Sequence, residues 1–303
     1  MSRGSGIVLA AIALGALGLV PVVASDYTLS VALNFLLWSA LALSWSLFSG
    51  LSGYVSLGHA VFYGIGAYVM VVCWQVLPIW SAVLLAGLAG GVFAFSLGWP
   101  CLRVRGPYFV ILTFGIAEFT KYVVVTIEAG LGRTGRLLIG TPSLAALYEA
   151  VLVLAALSFA LFAAIRRSRI GAGIIAIRAD ETAAESIGIN TNATKLALFT
   201  LSAIIPAMAG AIMALRATYF EPMQAFSPVT SFTIVTIGIL GGADAPPGPV
   251  LGAGFLVLIS ELLWARAPEI YMILLGILLV IFVLFVPEGI YGRLHLLAKP
   301  ARR

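Results

Sequence analysis

The chain has 303 residues, of which 62% are hydrophobic and only 10% are charged. Because soluble domains carry about 25% charged residues, this composition excludes a soluble globular protein and predicts a polytopic membrane protein. The net charge of +5 is small and spread along the chain, so nothing indicates nucleic-acid binding.

Ten stretches approach the roughly 20 apolar residues that a membrane-spanning helix needs. The third contains a glycine-rich polar sequence and the eighth is short, so either could be broken or re-entrant. The first also resembles a signal peptide, but we predict an uncleaved helix. The sequence thus predicts an all-α, polytopic transmembrane bundle, with 1–303 as a single domain. The predicted spans are about 6–24, 29–48, 54–76, 79–100, 107–128, 144–165, 194–217, 228–242, 249–265 and 269–287.

The basic residues are distributed unequally between the two faces of this predicted topology. Of 17 Lys and Arg residues, Lys121 lies within a span and twelve lie at the same face as both termini. The four others are Arg133, Arg136, Arg216 and Arg266. Cytoplasmic loops of membrane proteins carry the excess of positive charge, so we predict that both termini are cytoplasmic.

A few polar side chains interrupt the apolar spans. Glu118 and Lys121 lie three residues apart on one helix face and could form an ion pair. Such groups face a bundle interior or a cavity, where Glu118 could line a substrate path or contact another subunit. His59 could line that path or only hydrogen-bond a neighbouring helix. The other candidate path residues are Ser56, Tyr63, Tyr108 and Thr113.

A short polar segment, 171–190, stands between two long apolar spans. Thr182-x-x-Glu185 reads as a capping box that starts a short helix, and Gly188 is placed to end it. Arg178, Glu181 and Glu185 would share a helical face, where they could form pairs at spacings of three or four residues. We interpret the segment as a helix offered to a soluble partner; a solvated loop without a partner is the alternative.

The sequence gives no sign of catalysis or of nucleotide binding. Asp180, Glu181 and Glu185 have no matching nucleophile or metal cluster, so we do not predict an enzyme. A P-loop needs a Gly-rich stretch that ends in Lys followed by Ser or Thr. The only lysines are Lys121, Lys195 and Lys299, and Tyr, Leu and Pro follow them. Another chain must therefore bind ATP if the activity uses it.

Four stretches resemble permeases of branched-chain amino-acid ABC importers. They occur in this chain in the same order as in that family. The segment 176–189 with 195–199 resembles their cytoplasmic coupling loop, and 49–68, 103–109 and 238–253 are similar to other parts of these proteins. The resemblance covers about residues 30–290. The apolar N-terminal stretch suggests the longer of the two permease types.

The resemblance implies a translocation subunit in a bacterial inner membrane. Its expected partners are a homologous second permease, two cytoplasmic ATPases that bind ATP and Mg, and a periplasmic binding protein; no cofactor is expected in this chain. The coupling loop would span about 167–193, with coupling residues Arg178, Asp180, Glu181, Thr182, Glu185 and Gly188.

Two questions stay open at this point. The solute could be a branched-chain or other amino acid, an amide such as urea, or a small aromatic acid. A stand-alone secondary transporter or channel is the rival function, and it would rely on Glu118, Lys121 and His59.

Overall fold

A computed structural model of the chain describes residues 15–264 except positions 16, 22, 134 and 218, then positions 273, 276, 277 and 280, and residues 289–298. The predicted helical class is confirmed. The helices are α1 (Asp26–Trp45), α2 (His59–Cys73), α3 (Ile79–Cys101), α4 (Pro107–Gly130), α5 (Leu144–Arg167), α6 (Arg169–Ala179), α7 (Glu181–Ser186), α8 (Thr191–Ala214), α9 (Pro222–Ala225), α10 (Pro228–Gly241), α11 (Pro247–Trp264) and α12 (Gly289–Ala298).

Two short strands are an exception to the all-α prediction. In β1 (Arg136–Leu137) and β2 (Tyr219–Phe220), Arg136 faces Phe220 and Leu137 faces Tyr219 in an antiparallel pair. The pair connects the α4–α5 and α8–α9 loops at one end of the bundle, which we call the β end. The opposite end carries α6 and α7, and we call it the α7 end.

In the described residues, 6 stretches are long and apolar enough to cross a membrane, and each overlaps one predicted span. The predicted span 249–265 is a shorter apolar helix, and 6–24 and 269–287 lie mostly outside the described residues. The predicted total of about ten segments is therefore not confirmed. The six stretches are Asp26–Gly50, Ile79–Cys101, Pro107–Gly130, Leu144–Arg167, Thr191–Ala214 and Pro222–Gly241.

The third predicted span, 54–76, is broken. A π-helical turn at Ser46–Gly50 extends α1, and the chain leaves helical geometry from Gly53, where φ is 76°, until α2 begins. Exposed backbone polar groups are costly in lipid, so irregular backbone needs partners within the protein. Here side chains supply them: Ser49 Oγ accepts from the Ser56 amide at 3.3 Å, and Thr113 Oγ1 accepts from the Leu57 amide at 3.2 Å.

Three helices cross unusually closely at the centre of the bundle. On α2, Gly66 faces α8, and a Cβ added to it would lie 1.8 Å from the carbonyl oxygen of Ala207. On α8, Gly210 faces α2, and its added Cβ would lie 1.9 Å from the carbonyl oxygen of Tyr63. On α3, an added Cβ at Gly90 would lie 2.4 Å from the Ala207 side chain. Only glycine permits these approaches, as expected where small residues bring membrane helices together.

Two GxxxG pairs, Gly87/Gly91 and Gly248/Gly252, also serve packing inside the chain. Gly87 and Gly91 of α3 face side chains of α8, whereas Gly248 and Gly252 lie against the backbone of α10 and the turn that follows it. We therefore interpret these two pairs as sites of tight helix packing within one bundle.

A proline within α8 explains one buried polar contact with α1. Pro206 has no amide hydrogen, so the carbonyl oxygen of Ser202, four residues earlier, lacks its helical donor. The Ser44 hydroxyl of α1 donates to that oxygen at 2.5 Å. The interrupted helical bond is therefore replaced by a contact that joins the two helices.

Candidate functional site

The polar segment predicted from the sequence folds into two helices separated by one extended residue. Ser168 caps α6 by accepting from the Gly171 amide at 3.2 Å. Asp180, with φ −160° and ψ 113°, then breaks the helix and caps α7. After α7, Gly188 has φ 87°, and its amide donates to Glu185 O at 2.9 Å. The Ile189 amide donates to Ala184 O at 3.1 Å. These two bonds form a Schellman motif, so the predicted role of Gly188 as helix terminator is confirmed.

The predicted N-terminus of this helix is wrong by two residues. Asp180, not Thr182, is the cap: one Asp180 carboxylate oxygen accepts from the amides of Thr182 and Ala183 at 2.9 and 3.0 Å. The capping-box rule favours Thr182 because Glu185 follows three residues later. In the chain Glu185 instead accepts from the hydroxyl of Thr191, at 2.7 Å.

We expect Asp180→Ala to destabilise α7 by about 1 kcal/mol, because the amides of Thr182 and Ala183 lose their acceptor. Hydrogen exchange at these two amides should then accelerate by roughly fivefold. Thr182→Ala is the matched control, since it leaves the observed cap intact, and it should leave exchange unchanged. Equal acceleration in both variants would mean that Thr182 also caps the helix, as the capping-box rule predicts.

Glu181 lies at the centre of a polar network on the inner side of α7. Its carboxylate accepts from Lys195 Nζ at 2.5 Å and from Tyr54 Oη at 3.0 Å, and Arg105 Nε lies 3.3 Å away. Lys195, at the start of α8, has a side chain only 1% exposed and also reaches the carbonyl oxygen of Leu102 at 3.5 Å. One carboxylate thus joins α7 to α8, to the broken segment before α2 and to the α3–α4 connection.

The charge of this carboxylate is stabilised by its partners. Burial by itself raises the pKa of Glu181, whereas the hydrogen bonds from Lys195 and Tyr54 and the positive charges of Lys195 and Arg105 lower it. The net effect is a pKa below the usual value of 4.5. Glu181 is therefore ionised at neutral pH, and it neutralises a lysine that water scarcely reaches.

Arg178 makes a second connection from the same segment. Its guanidinium donates to Gly50 O at 2.7 Å and to the carboxylate of Asp244. Gly50 belongs to the π-helical turn and Asp244 to the connection between α10 and α11. The last turn of α6 is thereby tied to two parts of the bundle that are distant in sequence.

The predicted pairing of Arg178, Glu181 and Glu185 on one helical face is wrong. The extended conformation of Asp180 ends α6 before α7 begins, so Arg178 lies on a different helix from the two glutamates. Each of the three side chains has a partner elsewhere in the chain.

The outer surface of α7 is free of these contacts. Ala184 is buried, whereas Thr182, Ala183, Ser186 and Ile187 are exposed, and Ile187 retains 74% of its accessible surface. A largely exposed isoleucine beside small residues gives this end of the molecule a shallow apolar surface.

The structure brings together three of the candidate path residues. Ser56, His59 and Thr113 all lie around the break between α1 and α2, and each is buried. Ser56 and Thr113 hydrogen-bond the irregular backbone there, so their observed role is structural. In the described part of the chain neither ring nitrogen of His59 has a hydrogen-bond partner.

The other candidate path residues lie apart from this cluster. Tyr63 is partly buried against the α2–α8 crossing, whereas Tyr108 is 73% exposed near the start of α4. Glu118 and Lys121 form the predicted ion pair within α4.

Sequence reasoning missed the partners that organise the α7 end. Lys195 carried a usable signal: an ammonium group within the first turns of an apolar helix needs a carboxylate nearby. It also missed a buried ion pair at the β end, where Glu128 of α4 accepts from Arg136 at 2.6 Å and from Tyr68 Oη at 2.6 Å.

Comparisons with known proteins agree with the resemblance seen in the sequence. The family model described as branched-chain amino acid transport system / permease component matches residues 27–283. The high-affinity branched-chain amino acid transport system permease protein LivM of Salmonella typhimurium is 29% identical over 304 residues, covering 89% of this chain and 71% of LivM. LivM of Escherichia coli K12 shows the same identity and coverage.

A second permease protein of Escherichia coli K12, LivH, is 26% identical over 285 residues, covering 84% of this chain and 91% of LivH. No solved structure gave a significant match. With six stretches of spanning length in the described residues, this multi-pass membrane protein belongs to the family of permease components of branched-chain amino acid transport systems.

Proposed function

We propose that this chain is the translocation subunit of an ATP-driven importer for branched-chain or related amino acids, and that α7 is its coupling helix. The observation that carries the proposal is the two-sided construction of α7. Its inner side is fixed to the bundle through Glu181, while its outer side, with Ile187, is exposed. A partner that binds and displaces the outer side of α7 would therefore also move the residues that contact Glu181 on its inner side.

In this proposal the chain pairs with a homologous permease, two cytoplasmic ATPases and a periplasmic binding protein. ATP and Mg belong to the ATPases. The α7 end faces the cytoplasm of a bacterium and the β end faces the periplasm, with about ten crossings of the inner membrane and both termini inside. The excess of basic residues at the α7 end supports this orientation.

The contacts of α7 suggest how movement would spread. Closure of the ATPases would displace α7, and the Glu181–Lys195 pair would carry that displacement to α8. Tyr54 and Arg105 would carry it to the broken segment before α2 and to the α3–α4 connection. Because α8 is packed against α2 and α3, these helices would shift together and change the solute path from outward to inward access.

In this proposal the residues around α7 have two different tasks, which we assign from their contacts and exposure. Glu181 and Arg178 have partners within the chain, so we assign them the transmission of movement. Thr182, Ala183, Ser186 and Ile187 are exposed, so we assign them the contact with the ATPase.

Ile187→Asp tests this function directly. We expect it to lower co-purification of the ATPases, and the ATP hydrolysis that the loaded binding protein stimulates, by about tenfold or more, because a carboxylate would enter an apolar contact. Ile139→Asp is the matched control: Ile139 is 66% exposed, but it lies in the loop at the β end. Normal ATPase binding by the Ile187 variant would contradict the proposal.

A second measurement distinguishes the proposed importer subunit from a stand-alone secondary transporter or channel. The purified chain alone, reconstituted in liposomes, should not concentrate solute under an ion gradient. If it did, the chain would be a secondary transporter and α7 would need another explanation.

A further inference from the structure

α4 has an exposed face that differs from the other exposed faces of the bundle. Only 17% of its most apolar 18 residues are buried within the chain, against 33% or more for the other five stretches of spanning length in the described residues. Its buried side is a narrow stripe that includes Phe109, Thr113 and Ala117. A helix attached along one stripe leaves most of its circumference to lipid, water or another protein.

The exposed face of α3 has the pattern of side chains that is expected for a lipid-facing helix. The exposed residues follow one another at intervals of three or four, with aliphatic or Phe side chains in the middle and Trp at both ends. Tryptophan at both ends of an apolar helix is typical of a helix that faces the bilayer. These residues are Trp80, Leu84, Leu88, Val92, Phe95 and Trp99.

The exposed face of α4 differs from that of α3 at its middle, where a glycine stands among larger side chains. Tyr108, Ile111, Gly115, Phe119 and Tyr122 recur at intervals of three or four residues and so form one stripe. An added Cβ at Gly115 would meet no heavy atom within 4 Å. A small residue flanked by larger ones forms a shallow notch, which lets a second helix approach closely.

A charged group lies beside this stripe at the middle of the helix. Glu118 is halfway along the 24-residue helix, and its side chain is 25% exposed. Among the described residues only Lys121 donates a hydrogen bond to it, which leaves acceptor capacity on the exposed side of the carboxylate. Lipid offers no donor at this depth, and an ionised group there is costly unless protein or water surrounds it.

We infer that the stripe Tyr108–Ile111–Gly115–Phe119–Tyr122 of α4 is the surface that binds the second permease subunit within the membrane, with a donor of that subunit directed at Glu118. The chain is similar to both LivM and LivH, two permease proteins of one bacterium, which favours a homologous helix as the occupant. The inference rests on the proposed function, because it requires a permease pair.

The cytoplasmic end of the same surface meets the coupling network. A cavity of about 660 Å³ opens there, and its lining includes Val110 and Ile111 of α4, Tyr54, Arg178 and Glu181. Movement of α7 would therefore act at one end of the surface that joins the two permeases.

Photo-crosslinking tests the inference in the assembled transporter. We place p-benzoylphenylalanine at Phe119 in one variant and at Phe95 of α3 in another, as both side chains are exposed, 70% and 56% respectively. Irradiation of membranes that contain the complex should give an adduct with the co-purifying second permease at position 119 and none at position 95. No adduct at position 119, or equal adducts at both positions, would overturn the inference.

A thiol measurement excludes the alternative that the stripe lines a water-filled path. In a variant without Cys73 and Cys101, Gly115→Cys should resist a charged methanethiosulfonate reagent in the assembled complex. Rapid labelling there, at a rate similar to that of an aqueous loop cysteine, would overturn the inference. If no second permease co-purifies at all, the proposed function fails and this inference fails with it. If one co-purifies without an adduct, only this inference fails.

Discussion

Glu181→Ala should cost the isolated chain about 3–5 kcal/mol of unfolding free energy, far more than substitution of any other carboxylate in α7. The reason is the position of Lys195, whose side chain is only 1% exposed and whose ammonium lies 2.5 Å from the carboxylate. Without Glu181 that charge stays buried and unpaired. Tyr54, which donates at 3.0 Å, loses its acceptor at the same time.

Glu185→Ala is the matched control, since it removes the same group from the same short helix. Glu185 is exposed, and its carboxylate accepts one hydrogen bond, at 2.7 Å, from Thr191. We expect its loss to cost about 1 kcal/mol. Thermal unfolding of the purified variants in detergent measures the difference, and equally small losses in both variants would contradict a buried ion pair.

A double variant separates stability from coupling. Glu181→Leu combined with Lys195→Met removes both charges, and replacing a buried pair by apolar side chains is often neutral for stability. We therefore expect this variant to fold while the ion pair that links α7 to α8 is lost. In the reconstituted transporter, ATP hydrolysis should then respond weakly to the loaded binding protein. A normal response would remove Glu181 from the transmission of movement.

The spans of this chain were predictable because length and apolarity determine them. A helix such as α5 needs only a continuous apolar stretch, a serine cap at Ser143 and two arginines at its end. The ends of the predicted spans are displaced by a few residues, since single polar residues can lie inside or outside the last turn.

The network at the α7 end was not predictable because it depends on tertiary contacts. Glu181 and Lys195 are separated by the Schellman turn at Gly188, and Tyr54 reaches them from a break in another helix. The spacing of these residues in the sequence does not correspond to the repeat of a helix or a strand, so it gives no sign that they meet. The error at Thr182 has a related cause: α6 continues to Ala179, so the first non-helical residue, Asp180, was already in place to cap α7.

Gly66→Ala and Gly210→Ala should each destabilise the chain by about 3 kcal/mol or more, the upper end of the usual cost of overpacking. A methyl group at either position would lie within 2 Å of a main-chain oxygen: 1.8 Å from Ala207 O for Gly66, and 1.9 Å from Tyr63 O for Gly210. A side chain could rotate away, but here the obstacle is backbone. The two helices α2 and α8 must therefore separate along their crossing.

Gly115→Ala provides the control, because its added methyl group would meet no heavy atom within 4 Å. In the isolated chain we expect no loss, or a gain of about 0.5–1 kcal/mol, since alanine restricts the unfolded state and favours helix. Thermal unfolding in detergent compares the three variants. Equal stability of all three would mean that α2 and α8 are not in the close contact described above.

The same substitutions should affect coupling through α8. This helix holds Lys195 near its start and Gly210 near its end, so it links the α7 network to the crossing with α2. If the crossing loosens, displacement of Lys195 can be absorbed by sliding of α8 instead of moving α2 and α3 with it. We therefore expect Gly210→Ala transporters that still assemble to hydrolyse ATP with little solute uptake. Uptake per ATP equal to that of the unsubstituted transporter would show that the crossing does not carry the movement.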